Sequence, residues 1–409
     1  MKRILILLLI LGSIGFLTAC QETKGYIVIS KLFESTEQQN NSIELYNLSD
    51  EDIDLKNYSL NFYTNGSLEI SSTISLSGTI KAQDYFVVGS ANATHEILKS
   101  LIDYSFNDGT LPFNGNDSVE LVFKKKVIDY VGLVGSDVDY SKDLTLIRIG
   151  RKQDYMSSKT FDPFNFIYYL PDMFEYLKNE NYEIKTLEDL LAGPRLEQRY
   201  LEMPYTDPNR STIGGGGAAL VKLTGVADGD TAYFTADNGF PGGSLRYFYL
   251  NTPEVDVSHD GSHVSAEPWG YVASKYNKEY LLSNSSQKEI HVQSIKGYAL
   301  NEGYGRNLGL VWVNGHLSQF LITREGLTES VGTIYAAHDL EMHYKNVPYL
   351  TFLRFAEKHA IDQGWGIKGY PSNPNGEKSP DWNYESNKKT TESPVWTPHL
   401  SLPWEWKMF

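Results

Sequence analysis

The strongest constraint on the fold is a series of short segments, over residues 26–164, in which apolar and polar residues alternate. Residues 26–29, 42–46 and 58–62 are examples. A period of two is the pattern of a β-strand that buries one of its faces. Clusters rich in Asn, Gln, Asp and Gly separate these segments every 8 to 15 residues or so. This spacing predicts an antiparallel β-sandwich in the first part of the chain.

Composition limits the number of domains and the kinds of site and partner that the chain can have. The 409 residues are enough for two domains, and 41% of them are hydrophobic, which is enough for packed cores. The single cysteine excludes an internal disulfide framework and any zinc or iron–sulfur site built from several cysteines. The formal net charge of −15 counts against bulk attraction to nucleic acid, although a local basic site remains compatible with it.

The beginning of the chain is typical of an exported protein. Lys2 and Arg3 precede an apolar run over residues 4–17, which is shorter than the roughly 20 residues of a membrane span. Residues 17–20 resemble the bacterial lipobox, whose cysteine is lipidated. We therefore expect a signal peptide at residues 1–19, a lipid on Cys20 with a tether to residue 25, and an extracytoplasmic protein anchored to the membrane at the cell surface. The alternative is an ordinary signal peptide with a chance cysteine.

The strand-rich region also carries a family resemblance. It resembles the lamin-tail domain over roughly residues 25–170, which implies an all-β, immunoglobulin-like sandwich at residues 26–165. These motifs contain no evident catalytic chemistry, so the ligand of this domain stays unknown. The segments that carry the resemblance are residues 43–47, 53–60, 76–80, 129–132 and 144–148.

Residues 166–217 differ from both neighbouring regions. Apolar residues at roughly helical spacing up to residue 200 predict one or two connector helices. The four consecutive glycines 214–217 predict a flexible boundary, because glycine loses the most backbone freedom on ordering. A phosphate-binding glycine loop is the alternative, but the Lys-Ser/Thr pair that should follow is missing.

Residues 218–370 read as five strands with helices inserted and appended. This pattern predicts a small closed α+β barrel of the OB type. Residues 371–409 contain six prolines and four tryptophans without a period, so we expect a tail that is extended against the domains or disordered. The predicted strands are residues 220–226, 232–234, 246–250, 290–295 and 308–313, and the predicted helices are residues 268–282, 318–326 and 338–364.

Three polar clusters in this second region could carry chemistry. The first, residues 226–231, has two acids on either side of a glycine; the second has Arg246 on a strand and Glu254 beyond it; the third introduces Arg306 after a glycine turn. Oxygen ligands suit a hard cation such as calcium, and arginines donate to phosphate oxygens. A free carboxylate can orient or activate water. Together these are the parts of a site for metal-assisted phosphodiester hydrolysis.

In this order and spacing the clusters resemble the thermonuclease (staphylococcal-nuclease-like) family over about residues 220–368. The resemblance implies that Asp230 binds calcium, that Arg246 and Arg306 contact the phosphate, and that Glu254 acts on the attacking water. It also implies cleavage of DNA and RNA with 3′-phosphate products. Among this family's ligands, Thr252 would bind calcium through its carbonyl oxygen.

Two departures from the family pattern concern charge. Asn251 stands where a second calcium-binding Asp is common, so the site has one negative charge fewer. Gly303 stands where the family often has Lys. The resemblance further implies that Tyr304 contacts the substrate, and Tyr335 is a loose match to the family's nucleotide-stacking tyrosines.

The sequence thus predicts a surface-anchored, calcium-dependent nuclease. The alternative is a non-catalytic lipoprotein module that tethers nucleic acid or a surface polymer; the combination of Arg246, Glu254 and Arg306 argues against it, while Asn251 and the acidic charge argue for it. A histidine metal site at His259 and His263 is a further possibility, but no His-Glu-x-x-His arrangement supports it.

Overall fold

The computed structural model describes most of the chain beyond the predicted signal peptide. Cys20, Tyr335 and most of the predicted tail lie outside the described residues. The described residues are 26–107, 109–259, 262–264, 266–267, 269–331, 340–369 and 396–405.

Over its described residues, the first unit contains two large, mainly antiparallel sheets, a small two-stranded sheet and one short α-helix. Its elements are β1 (Ile27–Phe33), β2 (Ser42–Asn47), β3 (Ile53–Asp54), β4 (Tyr58–Tyr63), β5 (Ser72–Ser75), β6 (Thr79–Ile80), β7 (Tyr85–Ser90), α1 (Glu96–Leu101), β8 (Tyr104–Phe106), β9 (Ser118–Phe123), β10 (Lys126–Val131), β11 (Thr145–Arg148) and β12 (Phe166–Tyr169). One sheet has the order β12-β11-β1-β2-β7-β8 and the other the order β10-β9-β4-β5. Strands β7 and β8 are parallel, and β3 pairs with β6.

The core of this unit lies between the two sheets. Ile43 and Leu45 of β2 and Leu60 and Phe62 of β4 are fully buried in one apolar cluster. Because these residues are two apart, each strand turns alternate side chains to the core. This confirms the predicted β-sandwich. Strand β12 pairs with β11 along its whole length, so the sheet continues beyond the predicted boundary at residue 165.

A buried ion pair joins the segment after β12 to the sandwich. Lys31 Nζ lies 2.7 Å from Glu44 Oε1, and both side chains are fully buried. Lys31 also donates to the Asn179 carbonyl at 3.1 Å, and Glu44 accepts the Lys178 N–H at 2.6 Å. Because each buried charge has a partner and further hydrogen bonds, the arrangement fixes this segment against the outer face of the sheet.

The second unit is mixed α/β. Its elements, with the connector, are α2 (Leu187–Leu191), α3 (Gln198–Glu202), β13 (Thr206–Asp207), β14 (Arg210–Gly214), β15 (Ala218–Leu220), β16 (Leu223–Val226), β17 (Thr231–Phe234), β18 (Gly243–Tyr247), β19 (Val257–His259), β20 (Ser262–Val264), α4 (Gly270–Lys275), β21 (Ile290–Gln293), β22 (Asn307–Val313), β23 (His316–Leu317), α5 (Ser318–Arg324), β24 (His343–Tyr344), β25 (Val347–Pro348) and α6 (Tyr349–Gln363). The main sheet has the order β15-β21-β22-β18-β17-β16, and β18 runs parallel to β22.

Several predicted elements have different bounds, and for two of them the structure shows a local cause. Strand β18 ends at Tyr247 rather than 250, because Tyr249 has a φ of 76° and turns the chain. Helix α6 begins at Tyr349 rather than 338, because residues 343–348 form a hairpin. The hairpin ends at Pro348, whose ring suits the residue before a helix.

The two units share an apolar cluster. Ile147, Ile167 and Tyr169 of the sandwich belong to the same buried cluster as the core of the second unit. Phe164 contacts Phe355 of α6 edge to face, with ring centroids 5.2 Å apart. Among the described residues, no helix has the length and apolar character needed to cross a membrane.

Part of the predicted tail packs against the second unit. Trp396 and Leu402 are buried in the shared cluster. The backbone N–H groups of His399 and Leu400 donate to the Glu325 carboxylate at 2.8 and 3.1 Å. Residues 396–405 of the predicted tail are therefore packed against the second unit.

The prediction of a flexible boundary at glycines 214–217 is wrong. All four glycines are buried, and their backbone joins the segment before the run to the residues that follow β21. Gly217 N–H donates to the Pro204 carbonyl at 3.0 Å, and Gly216 N–H donates to Ser294 Oγ at 3.0 Å. A Cβ on Gly217 would lie 2.0 Å from the Met203 carbonyl oxygen. The run is needed for close backbone packing.

Gly217→Ala should therefore destabilise the protein by at least about 2 kcal/mol, because a methyl group at this position displaces buried backbone. Gly303→Ala is the matched control, since no atom lies within 4 Å of its Cβ position and its φ is not positive. It should change stability by less than about 0.5 kcal/mol. Urea unfolding of both variants measures the difference in stability. Equal stabilities would instead support the prediction of a flexible linker.

Candidate active site

The candidate site lies where β17, β18 and β22 run side by side. Thr231 of β17 is paired with Arg246 of β18, and Arg246 is paired with Leu308 of β22. Leu245 and Tyr247 are buried. Because side chains alternate along a strand, Arg246 projects from the opposite face, close to the ends of the neighbouring strands that carry Asp230 and Arg306.

Asp230 is the most buried charged group of the site. Its side chain is 1% exposed and both carboxylate oxygens accept hydrogen bonds. Oδ2 accepts from the backbone N–H and the hydroxyl of Thr252, at 2.7 and 3.0 Å. Oδ1 accepts from Thr231 Oγ1 at 3.2 Å and from the Arg246 guanidinium. The carboxylate thereby ties the turn at residues 228–230 to β18 and to the segment that follows it.

Arg246 also contacts Asn251. One terminal amino group of its guanidinium donates to Asp230 and the other donates to Asn251 Oδ1. The turn at Tyr249 brings Asn251 back towards β18. Asn251 then donates through Nδ2 to Glu329, and its backbone carbonyl accepts the Glu329 N–H at 2.8 Å. The guanidinium therefore spans the two side chains that the resemblance assigns to calcium.

Opposing effects act on the pKa of Asp230. Burial raises this pKa, because the charged carboxylate loses hydration. The positive charge of Arg246 lowers it, Asp228 raises it, and the hydrogen bonds from Thr252 lower it. Burial is the largest of these effects and raises the pKa to about 7, while Arg246 and Thr252 keep it from rising further.

Glu254 lies within the electrostatic field of the same groups. Partial burial raises its pKa, and the negative charge of Asp228 raises it further. Arg246 and Arg306 lower it. Its backbone N–H donates to Glu267 at 2.8 Å, which fixes the chain at this point. A carboxylate whose pKa is raised by partial burial and by a neighbouring acid is suited to accept a proton.

Arg306 is oriented by Glu302. Its Nε donates to the Glu302 carboxylate, four residues earlier in the same glycine turn. This ion pair raises the pKa of Arg306, which keeps the guanidinium charged. Apart from a 3.5 Å contact of one terminal amino group with Thr231, the described residues leave these amino groups for a ligand. Glu302 is therefore a positioning residue for Arg306.

The structure brings together the predicted residues around Asp230. Arg246, Asn251 and Thr252 contact its carboxylate or its guanidinium partner, and Glu254 and Arg306 are close enough to affect the pKa values of the group. The backbone N–H and the hydroxyl of Thr252 donate to Asp230. This role is additional to the predicted one, in which the Thr252 carbonyl oxygen binds calcium. Tyr304 is 91% exposed, as a stacking residue requires.

Sequence reasoning missed Glu302 and Glu329. The spacing of four residues between Glu302 and Arg306 was the available signal for the first. Glu329 is 78 residues from Asn251 along the chain, so no local pattern connects them.

The oxygens of Asp230 and Asn251 are of the kind that calcium prefers. However, they come from one carboxylate and one amide, and both contact Arg246. Within the part of the chain that the structure describes, no group of three or more His, Cys, Asp or Glu residues could hold a metal ion. A divalent cation at these two oxygens would need waters or phosphate oxygens as its further ligands, and Arg246 would first have to leave both of them.

Comparison with known proteins concerns the first unit. Residues 21–135 match the family model for the Lamin Tail Domain. The N-terminal sandwich contains a lamin tail domain. The match includes β1 to β10 and confirms the resemblance seen in the sequence, while β11 and β12 lie beyond it. No curated protein matches the chain.

The ion pair at the centre of the site gives a prediction that does not depend on activity. Asp230→Asn, Arg246→Met and the double variant should show a coupling free energy of about 1.5 to 3 kcal/mol, because each single change leaves a buried charged partner without its counterpart. Urea unfolding of the four proteins measures it. Additive effects of the two substitutions would mean that the contact contributes nothing to stability.

Proposed function

We propose that the second unit is a nuclease of the thermonuclease type, which hydrolyses phosphodiester bonds in DNA and RNA. The observation that carries the proposal is that Asp230, Arg246, Glu254 and Arg306 lie close enough to act on one another: Arg246 donates to Asp230, and both arginines lower the pKa of Glu254. These residues are distributed over 77 positions of the chain, from 230 to 306. A binding surface needs the two arginines alone, whereas hydrolysis also needs the carboxylate with a raised pKa.

The strand order supports the OB-type barrel that the family resemblance implies. Strands β15 and β16 lie at opposite ends of the sheet order, yet Val221 and Lys222 alone separate them along the chain. One pairs with β21 and the other with β17. A single bent strand that pairs at both ends closes a sheet on itself.

The proposed reaction follows from the positions of the side chains. The terminal amino groups of Arg306 donate to the non-bridging oxygens of the phosphate, and Arg246 adds a second guanidinium there. Glu254 accepts a proton from water, whose oxygen forms the new bond to phosphorus. The bond between phosphorus and the 5′-oxygen breaks, the 5′-oxygen takes a proton from solvent and leaves as a hydroxyl, and the phosphate stays on the 3′ side. Bidentate arginine contacts stabilise the charge that develops on phosphorus oxygens.

Calcium is the proposed cofactor. Asp230, Asn251 and the Thr252 carbonyl would hold it, and when bound it supplies charge that polarises the phosphate. Tyr304, which projects into solvent beside Arg306, stacks against a base of the substrate. Such stacking accepts any base and suits a nuclease that cuts both DNA and RNA.

The proposed location is the extracytoplasmic face of a bacterial membrane, with the lipid on Cys20. A net charge of −15 repels nucleic acid at long range, so productive binding depends on the few contacts of the site and weakens with salt. The lamin tail domain then acts as a spacer or as a binding module for a partner.

The second candidate is a non-catalytic module that tethers nucleic acid or a surface polymer. The contact between Asn251 and Glu329 favours it, because the amide has a protein partner and the site lacks the second acid that calcium sites commonly use. A tethering module would bind nucleic acid without cutting it. Activity therefore separates the two candidates.

The test is cleavage of single-stranded DNA and RNA by the mature chain, with calcium and with chelator. We expect calcium-dependent cutting, and Glu254→Gln should lower turnover by at least about a hundredfold, since general-base catalysis contributes about 10² to 10⁴. Glu289→Gln is the matched control, because Glu289 is exposed beside the end of β21 that pairs with Val313, far from Arg306 at the start of β22. Binding without cutting would support the tethering module.

Asn251→Asp tests the proposed calcium ligand. The change places a full negative charge beside the cation, and one screened contact of this kind is worth roughly 1 to 4 kcal/mol. The calcium concentration for half-maximal cleavage should fall about tenfold or more. Asn314→Asp adds the same charge at the turn between β22 and β23 and should leave the calcium requirement unchanged. An unchanged requirement in both variants would remove Asn251 from the metal site.

A further inference from the structure

The two arginines of the proposed site are held in different ways. Arg246 is 14% exposed and uses both terminal amino groups on Asp230 and Asn251. Arg306 is 34% exposed and is held through Nε by Glu302. Only Arg306 therefore presents its terminal amino groups to an incoming phosphate without first losing a protein contact to an acid or amide.

The contacts of Arg246 use the oxygens that a cation would need. Of the two carboxylate oxygens of Asp230, Oδ2 already accepts two hydrogen bonds from Thr252. Oδ1 of Asp230 accepts from Arg246 and the Thr231 hydroxyl, and the side-chain oxygen Oδ1 of Asn251 also accepts from Arg246. The space between Oδ1 of Asp230 and Oδ1 of Asn251 is therefore the position of the guanidinium.

A guanidinium and a divalent cation cannot share this position. Calcium binds oxygens at about 2.3 to 2.6 Å, which leaves no room for N–H donors on the same lone pairs. Both groups are positively charged, so they repel each other at short range. A buried carboxylate is unstable without a cationic partner, so loss of one occupant favours entry of the other.

We propose that the Asp230–Asn251 pair binds either Arg246 or a divalent cation, and that binding of the cation releases Arg246 to contact the phosphate. The proposal rests on the proposed function, because it takes calcium and a phosphodiester as the ligands. It makes the cation and the substrate cooperative: each binds more tightly when the other is present. It also assigns Arg246 the role of an internal cation that keeps Asp230 paired before calcium binds.

Calorimetric titration of the mature chain with calcium alone tests the competition. Arg246→Met removes the competing occupant and should bind calcium at least tenfold more tightly than the parent. Arg306→Met is the matched control. It also removes one positive charge that acts on Asp228 and Asp230, but it breaks no contact with the Asp230–Asn251 pair. It should change the affinity less than threefold. The proposal would be overturned if the two variants changed the calcium affinity equally, or if Arg246→Met bound calcium more weakly than the parent. It would also be overturned if neither the parent nor Arg246→Met bound calcium.

A second measurement needs no substitution and decides the question if Arg246→Met folds poorly. In the parent labelled with ¹⁵N-arginine, the terminal N–H groups of Arg246 should give separate NMR signals without calcium, because their hydrogen bonds restrain rotation of the guanidinium. At saturating calcium rotation should average these signals. The signal of Arg306 Nε–H, which is held by Glu302, serves as the internal reference and should not change. Arg246 signals that stay restrained at saturating calcium would contradict the release.

Neither measurement contains nucleic acid, so the outcome is independent of cleavage. A protein that shows the calcium competition but cuts nothing would retain this inference and lose the proposed nuclease. A protein that cuts without any change at Arg246 would retain the nuclease and lose the inference.

Discussion

The candidate site depends on a carboxylate that the fold removes almost completely from water. A buried charge costs several kcal/mol unless partners replace its hydration. Asp230 meets this requirement with four donors from three residues: the hydroxyl of its neighbour Thr231, the backbone N–H and hydroxyl of Thr252, and the guanidinium of Arg246. Because the same arginine reaches Asn251, one ion pair sets the relative positions of three segments. The side chains with chemical roles are arranged around that pair.

The rest of the structure holds the two units of the protein in a fixed arrangement around this site. The sandwich and the second unit have a common apolar cluster, and the buried pair of Lys31 and Glu44 holds the intervening segment in place. Glycines 214–217 pack their backbone against neighbouring carbonyls rather than acting as a hinge. A lamin tail domain joined so closely to the second unit can present the proposed site at a defined orientation, which a flexible tether would not do.

Local patterns explain which features the sequence could predict. Alternation along β2 and β4 was sufficient for the sandwich, because each strand buries every second residue whatever its partner. Arg246 was recognisable as a candidate site residue because it lies on a predicted strand and because Glu254 and Arg306 follow it in the order and spacing of a known family. The glycine run was misread because its cause, the Met203 carbonyl beside Gly217, is a tertiary contact. The partnership of Asn251 with Glu329 is equally non-local, so the sequence alone indicated a missing charge but not the neighbouring acid.

The central claim is that one phosphodiester lies between two arginines and a carboxylate of the second unit. A crystal structure of the mature chain with calcium and a short single-stranded DNA carrying phosphorothioate linkages tests it most directly. The account predicts one phosphate within hydrogen-bond distance of both Arg246 and Arg306, with a water between its phosphorus and Glu254. DNA bound to the lamin tail domain alone, or crossing the second unit without contact to these three residues, would contradict it.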